Sequence, residues 1–159
     1  MKKPVTPQQA LVRLETLCAR SEQCTEELRR KLASWKLDAQ TSEKIIRRLE
    51  ENRFVDNDRF ARSFVHDKYL YSGWGRRKIT SALYARRISP ETIDNALATI
   101  DVVRYGSLAF KAMKLKLRQL PDSLSREEKR IRLLRFGTGR GYETALVVKI
   151  INSDRLWLD

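Results

Sequence analysis

A chain of 159 residues can build one sizeable core or a short run of repeats that share their buried faces. Its 33 Lys and Arg against 20 Asp and Glu leave a net charge of +13, spread along the whole length, so a polyanion is the first partner to consider. A hydrophobic share of 42% argues against disorder, and two cysteines, Cys18 and Cys24, are too few for a disulfide scaffold or a four-cysteine zinc site.

Reduced thiols suit the cytoplasm. Pro4, Thr6, Pro7, Gln8 and Gln9 stand where a secretion leader would need an apolar run, and no later stretch approaches membrane-spanning length. The expected location is therefore cytoplasmic, with no membrane partner.

In chain order, Ala10, Leu11, Leu14, Leu17 and Cys18 form a helical stripe entered after Pro7, predicting a helix over about residues 7–19. Leu28, Leu32 and Trp35 form a second stripe, with Glu26 and Glu27 in its first turn, where the helix dipole favours negative charge. Ile45, Ile46 and Leu49 mark a third. Asp56 reads as the N-cap of a longer helix carrying Phe60, Ala61, Phe64, Val65 and Tyr69, ended by Gly73 and Gly75. Ile79 and Leu83 mark the next helix. Ser89-Pro90-Glu91 then supplies an N-cap, an N1 proline and an acidic first turn for a helix carrying Ile93 and Leu97. Leu108, Ala112 and Leu115 continue the pattern to Pro121. Ser125 to Glu128 reads as a capping box before Ile131, Leu134 and Phe136. The final stretch, residues 145–151, suits a helix or a strand, because Val147, Val148, Ile150 and Ile151 are β-branched.

Fixed-offset comparison exposes an internal repeat. Ala10 and Leu14 align with Ala61 and Val65, and Leu28 and Leu32 with Ile79 and Leu83, at an offset of 51. Ile88, Ile93 and Leu97 align with Tyr142, Val147 and Ile151 at an offset of 54. The expected architecture is all-α: three tandem three-helix repeats, at about residues 7–51, 56–100 and 101–152, stacked in one domain as an extended, curved, right-handed array.

The second helix of each repeat opens on a cationic cluster: Arg29, Arg30 and Lys31; then Arg76, Arg77 and Lys78; then Lys129 and Arg130 with Arg132 and Arg135. Regular stacking would set these in a row, with Arg86, Arg87 and Arg140 widening it where the same helices end. Such a row displaces counterions from a phosphate backbone and gives affinity without base preference. An acidic protein surface is an equally physical target, and solvated helix faces are the plain alternative. Trp35, Trp74 and Tyr71 could stack on bases, although aromatics on helical stripes more often fill the core.

Catalysis finds little footing. His66 is the only histidine, and its neighbour Asp67 together with Asp56 and Asp58 makes no complete metal set. The glycines at 137, 139 and 141 lack the strand and the Lys-Ser/Thr ending of a phosphate loop, and read as a helix end instead.

The segment Phe54 to Ala61, followed by Gly75-Arg76-Arg77-Lys78-Ile79 and Leu83, resembles the central signature of the RecX family. Glu27 to Leu32 looks like that family's first-repeat motif, and Arg140-Gly141-Tyr142 is similar to the Arg-Gly-aromatic turn of its third repeat. The resemblance covers about residues 10–151. It implies a non-enzymatic protein without cofactor that inserts into the groove of the RecA–DNA filament, usually as an inhibitor. A monomer is expected because a closed repeat array gives no reason to demand a dimer, and no metal is expected from the residues. Two departures stand out: Cys24 where the family often has Ser, which weakens a cap, and Gly137 in place of Leu, which puts the last repeat's packing in question. A stand-alone DNA-binding protein and a scaffold for another acidic partner are the alternative readings.

Overall fold

The computed structural model describes residues 4–158, and these residues form helices with no strand among them. The first three are α1 (Pro7–Arg20), α2 (Thr25–Ser34) and α3 (Ala39–Glu51). Next come α4 (Asn57–Leu70), α5 (Arg76–Ala85) and α6 (Pro90–Leu97). The last are α7 (Val102–Gln119), α8 (Arg126–Gly139), α9 (Thr144–Ile151) and the short α10 (Asp154–Trp157). The architecture is the all-helical, three-unit array read from the sequence, and residues 145–151 are helical.

Local signals start most of these helices. Thr6 accepts from the Gln9 N–H and Gln9 reaches back to the Thr6 N–H, so α1 begins on a capping box with Pro7 at its first position. Asp38, Asp56, Ser89 and Asp101 each accept from the backbone N–H three residues on. Ser125 and Glu128 form a second capping box at α8. The ends of α2, α5 and α8 share one device. Lys36, Arg87 and Gly141 take positive φ, and the following residue, Leu37, Ile88 or Tyr142, donates its N–H back to the carbonyl five residues earlier.

The buried side chains form two clusters. Leu14, Leu28, Leu32, Ile46 and Leu49 centre the one inside α1–α3. The larger one runs through α4–α10, around Val65, Ile79, Leu83, Met113, Leu133 and Val147. The β-branched residues of α9 follow tertiary packing over intrinsic preference: Val147, Ile150 and Ile151 are buried against this larger core.

Three sequence readings need correction. In α7 the buried face is Tyr105, Ala109 and Met113, while Leu115 is 58% exposed. Leu115 sits two residues past Met113, about 200° round the helix, so the stripe through Leu108 and Ala112 lies beside the core-facing one. In α8 it is Leu133 and Gly137 that face inward, and Ile131 and Leu134 are exposed. The third concerns Gly137, which does not loosen the last repeat. A Cβ there would lie 2.7 and 2.8 Å from the two Val147 methyls and 3.0 Å from Met113 Sδ, so neighbouring side chains already fill the space.

The N-termini of α2 and α5 are capped from the next unit, whereas α9 and α10 have no side-chain cap. α2 has no side-chain cap of its own, and its Thr25 N–H donates to Asn57 Oδ1, at the start of α4, over 3.0 Å. α5 likewise lacks a cap of its own. The Gly75 N–H donates to the Arg140 carbonyl (2.8 Å), the Arg76 N–H to the Tyr105 hydroxyl (3.0 Å) and the Arg77 N–H to the Gly141 carbonyl (3.0 Å). The corresponding helix of the last unit, α8, caps itself with the Ser125–Glu128 box. Stacking and helix initiation are thereby one event: a unit's second helix has unsatisfied donors until the following unit docks.

The joint between α1–α3 and the rest combines the buried Cys24, which belongs to the larger core, with several polar contacts. Besides Thr25 and Asn57, Arg59 pairs with Glu22 (2.5 Å), Arg86 with Glu27 (2.8 Å) and Arg87 with Glu26 (3.7 Å), while Arg30 donates to the Ala85 carbonyl (3.1 Å). Losing a cap costs about 1 kcal/mol and a half-exposed ion pair up to ~1 kcal/mol. The double change Asn57→Ala/Arg86→Ala is therefore expected to speed amide exchange at Thr25, Glu26 and Glu27 by about tenfold or more. Amides of α7–α9 should keep their protection, and uniform loss along the chain would show that the joint is not a separate element.

Candidate functional site

The twelve cations singled out in the sequence divide into two sets. Six carry carboxylate partners. Arg29 pairs with Glu43 at 2.7 Å, and this contact holds the Glu43 carboxyl below its usual pKa. Arg30 reaches Glu26 (3.4 Å), and Arg86 and Arg87 bridge to α2 as described. Arg76 pairs with Glu143 (3.0 Å), and Arg130 lies 3.8 Å from Glu127 and bonds Asn152. These side chains are struts within or between units. Arg29, Arg30 and Arg130 pair within their own units, whereas Arg76, Arg86 and Arg87 pair across a joint.

Lys31, Arg77, Lys78, Arg132, Arg135 and Arg140 have no carboxylate within 4 Å among the described residues. All but Lys31 lie on the second and third units. Arg132 and Arg135 line a shallow recess with Lys116, Leu120 and Phe136. Lys116 Nζ stands 5.6 Å and the Arg140 guanidinium 5.2 Å from the centre of the Phe136 ring. Arg140 then reaches across to the α4–α5 loop, donating to the Ser72 carbonyl at 3.3 Å. Beyond that loop Lys68 and Lys78 stand 4.6 and 4.5 Å from the Trp74 ring centre. The result is a belt of unneutralised cations from α7–α8 over the loop to the start of α5. Lys68 and Lys116 belong to it although they lie outside the repeated clusters; only their place in the fold identifies them.

The aromatics sort accordingly. Trp74 is packed against the larger core, edge-on to Phe64 with ring centres 6.2 Å apart, and two ammonium groups attend it. Its flanking glycines do not expose it: Gly75 is buried because a backbone passes there. Trp35 is half-buried on the first core, with Arg13 5.6 Å from its centre. Tyr71 is open, at 81% exposure, one residue from the carbonyl that Arg140 holds.

At the junction of the second and third units, Glu143 accepts from the Tyr105 hydroxyl (2.7 Å) as well as from Arg76. Burial works against the Glu143 carboxylate, but hydrogen bonds from Tyr105, its own backbone and Arg76 outweigh it, and its pKa lies below the ordinary value. Burial, followed by the neighbouring carboxylate, pushes the Tyr105 phenol up and keeps it a donor. A depressed carboxylate contributes stability above its unfolded pKa of about 4.5 and loses it as pH falls through the lower folded value. Melting temperature should therefore drop on acidification below about pH 4.5 less steeply in Glu143→Gln than in the wild type. Equal slopes would show that the junction is not titrating.

Cys18 and Cys24 are free thiols, and burial pushes both pKa values up, which disfavours the thiolate. Among the described residues no three His, Cys, Asp or Glu side chains are placed to hold a metal ion, and His66 packs edge-on against Tyr69. No described helix is long and apolar enough to cross a membrane.

Comparisons with known proteins agree with this geometry. The family model for the second three-helix domain of RecX matches residues 56–97, the α4–α6 unit. A regulatory protein RecX from Mycobacterium sp. (strain JLS) is 28% identical over 128 residues, spanning 79% of this chain and 70% of that one. One from Herbaspirillum seropedicae is 27% identical over 133 residues, covering 84% and 81%. In fold, the crystal structure of RecX from Lactobacillus salivarius superposes with a TM-score of 0.81 over 96% of this chain and 97% of the other, at 17% identity. The chain is thus similar to RecX proteins in its middle unit and along most of its length, and it shares their fold.

Proposed function

We propose that this protein is a non-enzymatic modulator of the RecA recombinase, acting in the cytoplasm as a monomer on the RecA–DNA filament, and that its effect is inhibitory. The repeats, taken as residues 7–51, 56–100 and 101–152, lie in the filament groove. Lys31, Arg77, Lys78, Arg132, Arg135 and Arg140 face DNA phosphates or the acidic filament surface. The six paired arginines, Arg29, Arg30, Arg76, Arg86, Arg87 and Arg130, contribute by holding that surface in shape. The observation that supports the reading is the belt between α8 and α5: cations without a carboxylate partner among the described residues keep their charge available to a polyanion, although Arg140 bonds a backbone carbonyl and Lys78 packs on Trp74.

The test is RecA ATPase and strand exchange on single-stranded DNA with the protein added well below one per RecA. Inhibition at low ratios is expected, since a groove-bound protein needs to act only at growing ends. An effect that appears only when the protein saturates the DNA would mean titration of the strand and would remove the filament from the account.

A further inference from the structure

We infer that the groove between the first half of α7 and α9 is a docking site for an acidic amphipathic helix of a partner protein. It lies apart from the cationic belt and does not depend on the reading of that belt. Val102 and Val103, 70% and 79% exposed, stand on the first turn of α7, a turn held by Asp101 accepting from the Arg104 N–H at 3.0 Å. Two β-branched side chains fixed in water at a capped helix start have no role in the core of this chain. With Phe110 on α7 and Leu146 and Ile150 on α9, they line one continuous depression.

Gly106 forms a notch in its wall: a Cβ there would meet nothing within 4 Å, so no packing inside this chain requires a glycine. Glycine inside a helix is itself destabilising, and what it provides here is room.

The walls decide the shape of the occupant. Val102, Gly106 and Phe110 are spaced i, i+4, i+8, and Leu146 and Ile150 are spaced i, i+4, so two helical ridges flank the groove. Both walls are helices whose backbone groups are already bonded, so there is no edge for an added strand, and side-chain ridges are what a partner can read. The rim decides its charge. Lys111, Lys149 and Arg155 surround the groove, no acidic residue lines it, and none of the three has a carboxylate within 4 Å among the described residues. The Arg155 guanidinium lies 5.3 Å from the Phe110 ring centre, beside the apolar floor. A helix with an apolar stripe and glutamates on both flanks complements this arrangement in shape and in sign.

The probe is a fluorescein-labelled four-turn peptide with leucines at helical spacing and glutamates on the flanks, compared with its lysine-flanked counterpart by anisotropy on the full chain. The acidic peptide should bind at least tenfold more tightly. Gly106→Leu should weaken it at least tenfold while the melting temperature holds or rises, and Lys111→Glu/Lys149→Glu should invert the preference between the two peptides. The double charge variant keeps the test open should Gly106→Leu fail to fold. Equal binding of both peptides, or a charge preference indifferent to Gly106, would overturn the proposal. So would self-association that Gly106→Leu abolishes, which assigns the face to a second copy, or displacement of the peptide by anionic lipid vesicles, which assigns it to a membrane surface.

Discussion

Gly141→Ala is expected to cost at least ~3 kcal/mol in urea unfolding and to uncouple the third unit from the second. Gly141 holds φ at +90°, where an L side chain is strained by about 1–2 kcal/mol. The larger part of the cost is steric. The added Cβ would lie 2.4 Å from Lys78 Cβ and 2.5 Å from Lys78 N, so the α5 backbone would have to retreat. That retreat breaks the bonds from Gly75 and Arg77 to the carbonyls of Arg140 and Gly141, leaving the start of α5 uncapped. Gly75→Ala meets the same wall from the other side, with a Cβ 2.2 Å from Gly141 C and Tyr142 N. The control is Gly139→Ala. A Cβ there meets nothing within 4 Å, and the helix should gain about 0.5–1 kcal/mol. Near-wild-type stability of Gly141→Ala would mean that the two units do not depend on this crossing.

The second large effect separates the two sets of cations. The variant Arg77→Glu/Arg132→Glu/Arg135→Glu reverses three charges and breaks no ion pair within 4 Å, so its melting temperature should fall only slightly, by the new repulsion between position 132 and Glu128 one turn earlier. Its affinity for DNA-bound RecA should fall on the order of 100-fold at fixed salt, because three phosphate contacts become repulsions. Arg76→Glu should behave in the opposite sense. It sets a carboxylate against Glu143, 3.0 Å from the present guanidinium, and removes the group lying 4.2 Å from the Tyr105 ring centre. Stability should suffer first, and binding only as the junction loosens. Reversing Arg76, Arg77 and Lys78 together would mix the two effects.

Signals confined to a few residues were legible. Asp56, Ser89-Pro90 and the Ser125–Glu128 box start helices where the sequence says they do, because an N-cap and its donor lie within one turn. The caps of α2 and α5 were not legible. Their acceptors lie far along the chain, with Asn57 32 residues from Thr25 and Tyr105 29 from Arg76, and nothing local marks them. Cationic clusters could be counted, but their neutralisation could not. Glu27 meets Arg86 across 59 residues and Arg76 meets Glu143 across 67. In α7 and α8 periodicity misled because both helices carry apolar residues on more than one face, and Leu115, Ile131 and Leu134 are left outward. Gly137 shows the same limit in packing: an apparent gap in the motif is a contact point for Val147 and Met113.

The central claim is that the cations left unpaired by the fold, and not the repeated clusters as such, meet the polyanion. The slope of log affinity for single-stranded DNA against log salt tests it most directly. Each phosphate contact on a single strand contributes about 0.7 to that slope. Arg77→Ala/Arg132→Ala/Arg135→Ala should therefore flatten it by about 2, and folded Arg29→Ala, which removes a strut, should leave it unchanged. A belt variant with the wild-type slope, or a strut variant that flattens it as much, would contradict the division of charge on which the account rests.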